Sequence, residues 1–487
     1  MTDEVAVRYG TAQGRWVIIA AVLGSGVVFL DGTVVNVALP ALSRDLDASV
    51  RGLQWILDSY LVTLSALLLL GGNAGDRYGR RSMFVVGLGA FVVASVLCGL
   101  APGVGFLIVA RALQGVAGAL LVPASLSIIS SVFDGDDRGR AIGAWSGLAA
   151  VAGAVGPLLG GWLVDAGSWR LIFFLNVPVA AAAVAIALRH VPETRDDEAR
   201  ELHLPPPKQK PPLDVTGAAL VSAGIALVAY GLIEHSGVAA LAGVAALVAF
   251  LAVERRSDHP MLPLSLFASP QFTGANLTTV AVYGAMSAAL FLITLRLQVT
   301  LGYSALEAGA SMLPLTGLML TLSARVGSLA QRIGPRLPMT VGPLLSAGGL
   351  LLFSRISPGD RYVTAVLPAV TLFGLGMTVT VSPLTAAVLG AVDRRRAGVA
   401  SAVNNVAARL AGLLGIAVIP AVAGIDTGGG LAGSLDSGYP TALRISAGVC
   451  AVGALIAWRF VRSSASVRSI THPDPLHACH DPCVEAA

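Results

Sequence analysis

A chain of 487 residues with 55% hydrophobic residues, only 12% charged residues and a mean hydropathy of +0.78 cannot clothe a soluble core, since soluble domains carry about 25% charged residues. Its skin must be lipid. The net charge of +4, which in a soluble protein would point to an anionic partner, here reflects the Lys and Arg excess that membrane proteins keep on their inner side, and no nucleic-acid partner is expected.

A helix needs about 20 mostly apolar residues to cross a bilayer. Helix is the expected spanning state, because backbone polar groups in hydrocarbon must be satisfied within the segment. The first apolar run, Trp16 to about Val37, is too long for a signal-peptide core and carries Asp31-Gly32-Thr33 instead of a small-residue cleavage site, so it reads as a retained helix. With it, fourteen stretches qualify: 16–37, 53–71, 82–101, 105–132, 141–164, 170–189, 214–234, 238–254, 272–296, 308–328, 337–355, 362–389, 398–423 and 441–461. An even number places both termini on one side. With the amino terminus inside, the inner segments collect Arg77, Arg80, Arg81, Arg138, Arg140, Lys208, Lys210, Arg255, Arg256, Arg332, Arg336 and Arg394, and the outer loops keep Asp45, Asp47, Asp165, Asp360, Asp426 and Asp436. The expectation is an all-α membrane protein of fourteen transmembrane helices with both termini cytoplasmic.

The chain repeats itself weakly. Gly72, Arg77, Gly79 and Arg81 after helix 2 match Gly327, Arg332, Gly334 and Arg336 after helix 10, an offset of 255 residues from Gly72 to Gly327. That predicts two six-helix bundles with two extra central helices between them, a parallel-repeat transporter plan. The expected units are an amino-terminal bundle at 1–189, a charged and proline-rich linker at 190–213, the extra helices 7 and 8 at 214–254, a connector at 255–271, a carboxyl-terminal bundle at 272–462 and a disordered tail at 463–487. Cys98 and Cys450 fall in apolar runs and Cys479 and Cys483 in the tail, which is no disulfide framework. The tail residues His472, His477, Cys479, His480 and Cys483 fit no strong metal spacing, and no metal is expected.

Ionisable residues inside a membrane are costly, so each needs a reason. Asp31, Asp58 and Arg111 each lie about six residues inside the outer ends of helices 1, 2 and 4, roughly 9 Å below the boundary at 1.5 Å per residue. An acid that alternates between burial and an arginine can take a proton on one side and release it on the other. Asp31 is the expected proton carrier, tuned by Arg111, with Asp58 a second carrier or the counter-charge of a cationic substrate. The alternative is a static ion-pair network that fixes helix packing, or one coupled pair of acids. Arg409, near the middle of helix 13 with Asn404 and Asn405 below it, either faces an acid or an anionic substrate group across the cavity or bonds to helix carbonyls. Arg296 and Glu307 flank an outer loop and are expected to be solvated; Glu234 and His235 should lie at the outer interface.

Four motifs in order resemble one family. Gly72–Arg81 is similar to the loop signature between helices 2 and 3 of major facilitator transporters, with Ala74 and Gly75 departing from it. Leu107-Ile-Val-Ala-Arg111-Ala-Leu-Gln114-Gly115 resembles their helix-4 motif. The run holding Gly153, Gly156, Pro157, Gly160 and Gly161 resembles the helix-5 motif associated with antiporters. Leu30-Asp31-Gly-Thr33-Val-Val-Asn36-Val-Ala38-Leu39-Pro40 is similar to the helix-1 motif of the fourteen-helix drug:proton antiporters. The resemblance spans residues 16–460 and implies a major facilitator fold around a central cavity, powered by the proton gradient and needing no cofactor. It implies gating roles for Asp76, Arg77, Gly79, Arg80 and Arg81 at the inner loop and for the helix-5 glycines and Pro157, with Asp58, Arg409, Asn404 and Asn405 facing the substrate cavity. Gln331 stands where the second loop copy would be acidic, so the first loop should carry the stronger contact. The expected protein is a monomeric, multi-pass exporter of lipophilic, often cationic, drugs or dyes in a bacterial inner membrane, or else a dedicated exporter of one endogenous metabolite. No Ser, His or Cys constellation supports an enzyme, and no loop is long enough for a sensor domain.

Overall fold

The computed structural model describes residues 7–133, 135–193, 214–234, 236–257, 262, 264–392, 397–425 and 430–463. All regular structure among them is helical. The expected linker and tail therefore lie almost wholly outside the described residues, as does His235.

Helices α1 (Ala12–Leu46), α2 (Val50–Tyr78), α3 (Arg80–Gly99), α4 (Val104–Val132), α5 (Gly135–Ala166) and α6 (Arg170–His190) pack on one another. Next come α7 (Val215–Ile233) and α8 (Gly237–Glu254), a hairpin. The remaining helices, α9 (Pro270–Val299), α10 (Ala305–Ile333), α11 (Arg336–Phe353), α12 (Tyr362–Gly390), α13 (Ala397–Val422) and α14 (Gly430–Phe460), form a second packed set. Among the described residues, twelve helices are long and apolar enough to cross a membrane. Two more, α2 and α5, are 29 and 32 residues long and fall on the stretches expected at 53–71 and 141–164.

Proline and glycine shape the helix ends. The turn at Leu175 interrupts α6 because Pro178 lacks the N–H that would bond the Phe174 carbonyl. Helix α2 stays helical through Tyr78, and a single residue, Gly79, joins it to α3 at φ 108°, a conformation that favours glycine. The inner loop expected over Asp76–Arg81 is thus shorter than the sequence suggested. Helix α14 begins at Gly430, well before the expected residue 441, because it runs through Pro440 instead of starting after it. That extension carries Asp436 into helix.

The apolar core differs between the two ends of the molecule. We call the end holding Ala12 of α1 the near end and the end holding Leu46 the far end. At the far end one continuous buried cluster joins both halves, with Val34, Val35 and Ala38 of α1 in the same cluster as Ala285, Ala289 and Leu292 of α9. At the near end two separate clusters form, one around Phe84 and Phe133, the other around Phe272 and Met339. The halves share one core at the far end and keep two cores at the near end, where Val406 of α13 packs against the amino-terminal one. Helix α7 seats on α2 and α13, where Ile225 and Ala229 bury against Val62, Ala66 and Leu413. At its far-end terminus Glu234 accepts from Trp55 Nε1 at 2.9 Å and pairs with Arg51 at 3.3 Å.

Candidate functional site

The buried polar centre of the amino-terminal half draws its polar side chains from four helices, with α2 adding a carbonyl and a ring. Asp31 of α1 is fully buried and pairs with Arg111 of α4. Asp31 Oδ1 also accepts from Gln114 Nε2 at 2.9 Å and from Asn176 Nδ2 of α6 at 3.0 Å. Ser95 Oγ of α3 accepts from the same two amides, at 2.9 and 3.2 Å. Arg111 and Gln114 share one face of α4 by their three-residue spacing, and Arg111 Nη1 donates to Gln114 Oε1 at 2.7 Å. Arg111 Nε donates to the Ile56 carbonyl at 3.2 Å, and its guanidinium lies 4.3 Å from the Tyr60 ring centre. Such an enclosed pair is stable only when extra hydrogen bonds satisfy the remaining lone pairs and protons, and here they do.

Asp31 and Arg111 therefore meet as the sequence predicts, but Asp58 does not join them. Asp58 is fully buried and, among the described residues, neither carboxylate oxygen has a hydrogen-bond partner. Its place on α2 explains this. One turn before it, Gln54 Nε2 donates to the Ile416 carbonyl of α13 at 2.9 Å; one turn after it, Val62 packs in the cluster with α7 and Leu413. Residues four apart share a helix face, so Asp58 points at the seam between the two halves, not into its own bundle. Gln114 entered the sequence reading only as part of the helix-4 motif, and Asn176 and Ser95 were not singled out. The available signal was Asn176, an amide within the apolar run Phe173-Phe-Leu-Asn-Val-Pro-Val179.

In the second half, Asn404 of α13 donates to Asn276 Oδ1 at 3.1 Å and to Thr279 Oγ1 at 2.7 Å, which ties it to α9. Asn405 is exposed and donates to the Ser401 carbonyl at 3.1 Å. Arg409 stands 5.9 Å from the centre of the Phe29 ring of α1. Arg296, expected to be solvated, is only 6% exposed; it pairs with Asp436 and lies 5.2 Å from the Tyr439 ring centre. The early start of α14 supplies both partners. Glu307 closes a capping box with Ser304 at the start of α10.

The gating residues divide. Asp76 and Arg77 are helical, and their side chains lie outside the described ones. The Arg81 guanidinium donates to the Val191 carbonyl at 3.1 Å and the Arg81 backbone N–H donates to Glu193 Oε1 at 3.1 Å, both within the same half. Arg80 precedes it as the first residue of α3. In α5, Gly156 and Gly160 seat the helix on Thr33 and Val34 of α1, and Thr33 Oγ1 donates to the Gly153 carbonyl at 2.9 Å. Pro157 and Gly161 instead face α10 of the other half. A Cβ on Gly161 would lie 2.6 Å from Leu306 Cα, and one on Gly309 would lie 2.8 Å from the Pro157 carbonyl carbon. Asp165 completes this contact, accepting from Ala305 N at 3.1 Å and Leu306 N at 2.8 Å. Glycines here let the backbones approach where no side chain would fit. A Gly309→Val substitution is expected to disfavour the closed far end by about 1–3 kcal/mol, roughly a 5- to 150-fold shift in the equilibrium. Cross-linking between cysteines at Asp165 and Leu306 should fall accordingly, and unchanged cross-linking would refute the close-approach argument.

The sequence profile of the Major Facilitator Superfamily matches residues 21–416. The chain is 36% identical to the Puromycin resistance protein pur8 of Streptomyces alboniger, over 94% of each chain. It is 32% identical to the Multidrug resistance protein Stp of Mycobacterium tuberculosis, over 83% of this chain and 75% of that protein. Among solved structures it resembles a bacterial homolog of the human lysosomal transporter Spinster, in an inward-facing and unoccupied conformation. The TM-score is 0.65 at 17% identity, over 92% of this chain and 97% of that one, a likeness of fold.

Proposed function

Because the chain belongs to the Major Facilitator Superfamily, and is a multi-pass membrane transporter and not an enzyme, we propose that it exports lipophilic, often cationic, drugs or dyes in exchange for protons by alternating access. In this reading α2 and α5 also cross the membrane, giving fourteen spans. The near end, with Arg80, Arg81, Arg255, Arg256 and Arg332, is cytoplasmic and holds both termini. The units are those at 1–189, 214–254 and 272–462, joined by the linker at 190–213 and the connector at 255–271 and followed by the tail. The protein acts as a monomer in a bacterial inner membrane, with no cofactor beyond the proton gradient.

The observation that carries the reading is the bare carboxylate of Asp58, buried on the face of α2 that meets the other half. A buried carboxylate without donors is costly, and one proton removes that cost. Rocking the halves apart at the far end would expose Asp58 on that side, and this ties its proton to the conformational cycle. We therefore place the travelling proton on Asp58 and give Asp31 and Arg111 the work of holding α1, α3, α4 and α6 together around it. Gly79, Arg80 and Arg81, with Asp76 and Arg77 before them, set the near-end gate; Pro157 and Gly161 set the far-end contact.

A narrower reading has one observation in its favour: a relative named for a single antibiotic, the Puromycin resistance protein, stands beside the Multidrug resistance protein in similarity. A dedicated exporter of one metabolite would protect cells against one compound and not a panel. The test of the main reading is ethidium uptake into inverted vesicles. A proton gradient, inside acid, should drive uphill uptake, and a protonophore should abolish it. Uptake that ignores the protonophore would sink proton exchange; absence of ethidium transport with protection against a single compound would favour the dedicated exporter.

A further inference from the structure

Among the described residues, Arg409 is a central charge to which the proton-exchange reading gives no task. It lies near the middle of the 26-residue α13, where an ionised side chain is costly and marks function by default. Its guanidinium carbon is 5.9 Å from the Phe29 ring centre, so it faces the middle of α1 across the boundary between halves. Among the described residues it makes no ion pair and no hydrogen bond. The buried acids of the opposite half leave it uncompensated, since Asp31 is held by Arg111 and Asp58 has no partner. One turn before it on the same face, Asn405 is exposed, and its amide N–H goes to its own helix. The contact with Phe29 sits at the edge of the range in which a ring attracts a cation, so it is easily exchanged for a stronger one. Toward the near end the two halves keep separate buried cores, with Val406 of α13 resting on the amino-terminal one.

We propose that Arg409 and Phe29 form a binding site for an aromatic anion, a carboxylate or phenolate carried on a planar ring system. The guanidinium fork matches the two oxygens of a carboxylate and keeps its charge at any physiological pH. The Phe29 ring offers its face to the ring of the ligand. The substrate range thus extends beyond cations, with Arg409 setting the preference by charge. This deepens the export reading and rests on it for its physiological sense, but the binding itself is measured without transport.

The experiment compares two dyes of one xanthene scaffold, fluorescein as the anion and rhodamine 6G as the cation, by fluorescence anisotropy on the purified full chain. In Arg409→Gln the ratio of fluorescein to rhodamine 6G affinity should shift toward the cation by about tenfold or more, the loss of a charged hydrogen-bonded contact. Arg409→Lys should restore part of the ratio. An unchanged ratio in a folded Arg409→Gln variant overturns the proposal. If that variant fails to fold, the wild type decides: no fluorescein binding overturns the proposal, and fluorescein binding that Phe29→Leu weakens upholds it. Dye movement into inverted vesicles is read separately. No gradient-driven movement of either dye, with the affinity ratio intact, would overturn the export reading and leave the anion site standing.

Discussion

Replacing Asp58 by Asn is expected to abolish uphill, proton-driven uptake of ethidium into inverted vesicles while downhill exchange persists. The amide keeps the shape of the side chain and removes the proton cycle. Exchange of one ethidium cation for one proton moves no net charge, so the pH difference drives it, at about 1.4 kcal/mol and roughly a tenfold concentration ratio per pH unit. That ratio should collapse toward unity in the variant, and Asp58→Glu should recover part of it. The result that would overturn the assignment is unimpaired uphill uptake in Asp58→Asn. If Asp31→Asn then loses uptake while keeping exchange, the travelling proton belongs on Asp31; loss in neither variant moves coupling out of this half.

The second large effect concerns the locked pair. Arg111→Met keeps much of the side-chain volume but leaves Asp31 buried with two amide donors and no cation. Breaking a buried pair by removing one partner costs about 3–5 kcal/mol, because an uncompensated charge remains. The variant should therefore melt well below the wild type in detergent. The double variant Asp31→Asn with Arg111→Met should recover most of the loss, since the uncompensated charge is gone. Neighbours of this kind are non-additive, and the cycle measures their coupling. Melting of Arg111→Met at the wild-type temperature would remove the structural role given to the pair and return Asp31 to the set of mobile proton carriers.

The two predictions separate residues that the sequence treats alike. Asp31 and Asp58 both read as acids at one depth in adjacent helices, and depth follows from counting residues at a fixed rise. Direction does not. A helix apolar on every side carries no polar stripe to fix its rotation; α1 and α4 are nearly uniform in this sense, and only packing turned Asp31 toward Arg111. Asp58 sits on α2, which does carry a polar stripe, but a stripe does not say which neighbouring helix it meets, and that was decided by the seam with α13. The same holds for Arg296. Its distance from the end of α9 suggested solvent, yet the helix holding Asp436 begins early enough to cover it.

The sequence by itself determined the class of the protein, because hydropathy is local and adds along the chain. It placed most of the helices, though not the early start of α14 or the single-residue joint at Gly79, and it pointed to the family through four motifs in fixed order. It also flagged Asp31, Asp58, Arg111 and Arg409, since a charge in an apolar run stands out without any knowledge of its neighbours. Only the tertiary structure decided that Asn176, Gln114 and Ser95 complete the shell of Asp31, that among the described residues Asp58 is bare at the seam and Arg409 has no acid beside it, and that the halves join at the far end. These facts depend on which faces of separate helices meet. In a bilayer that choice is made by close packing of small residues and by pairing of buried polar groups, interactions between distant segments that no local pattern encodes.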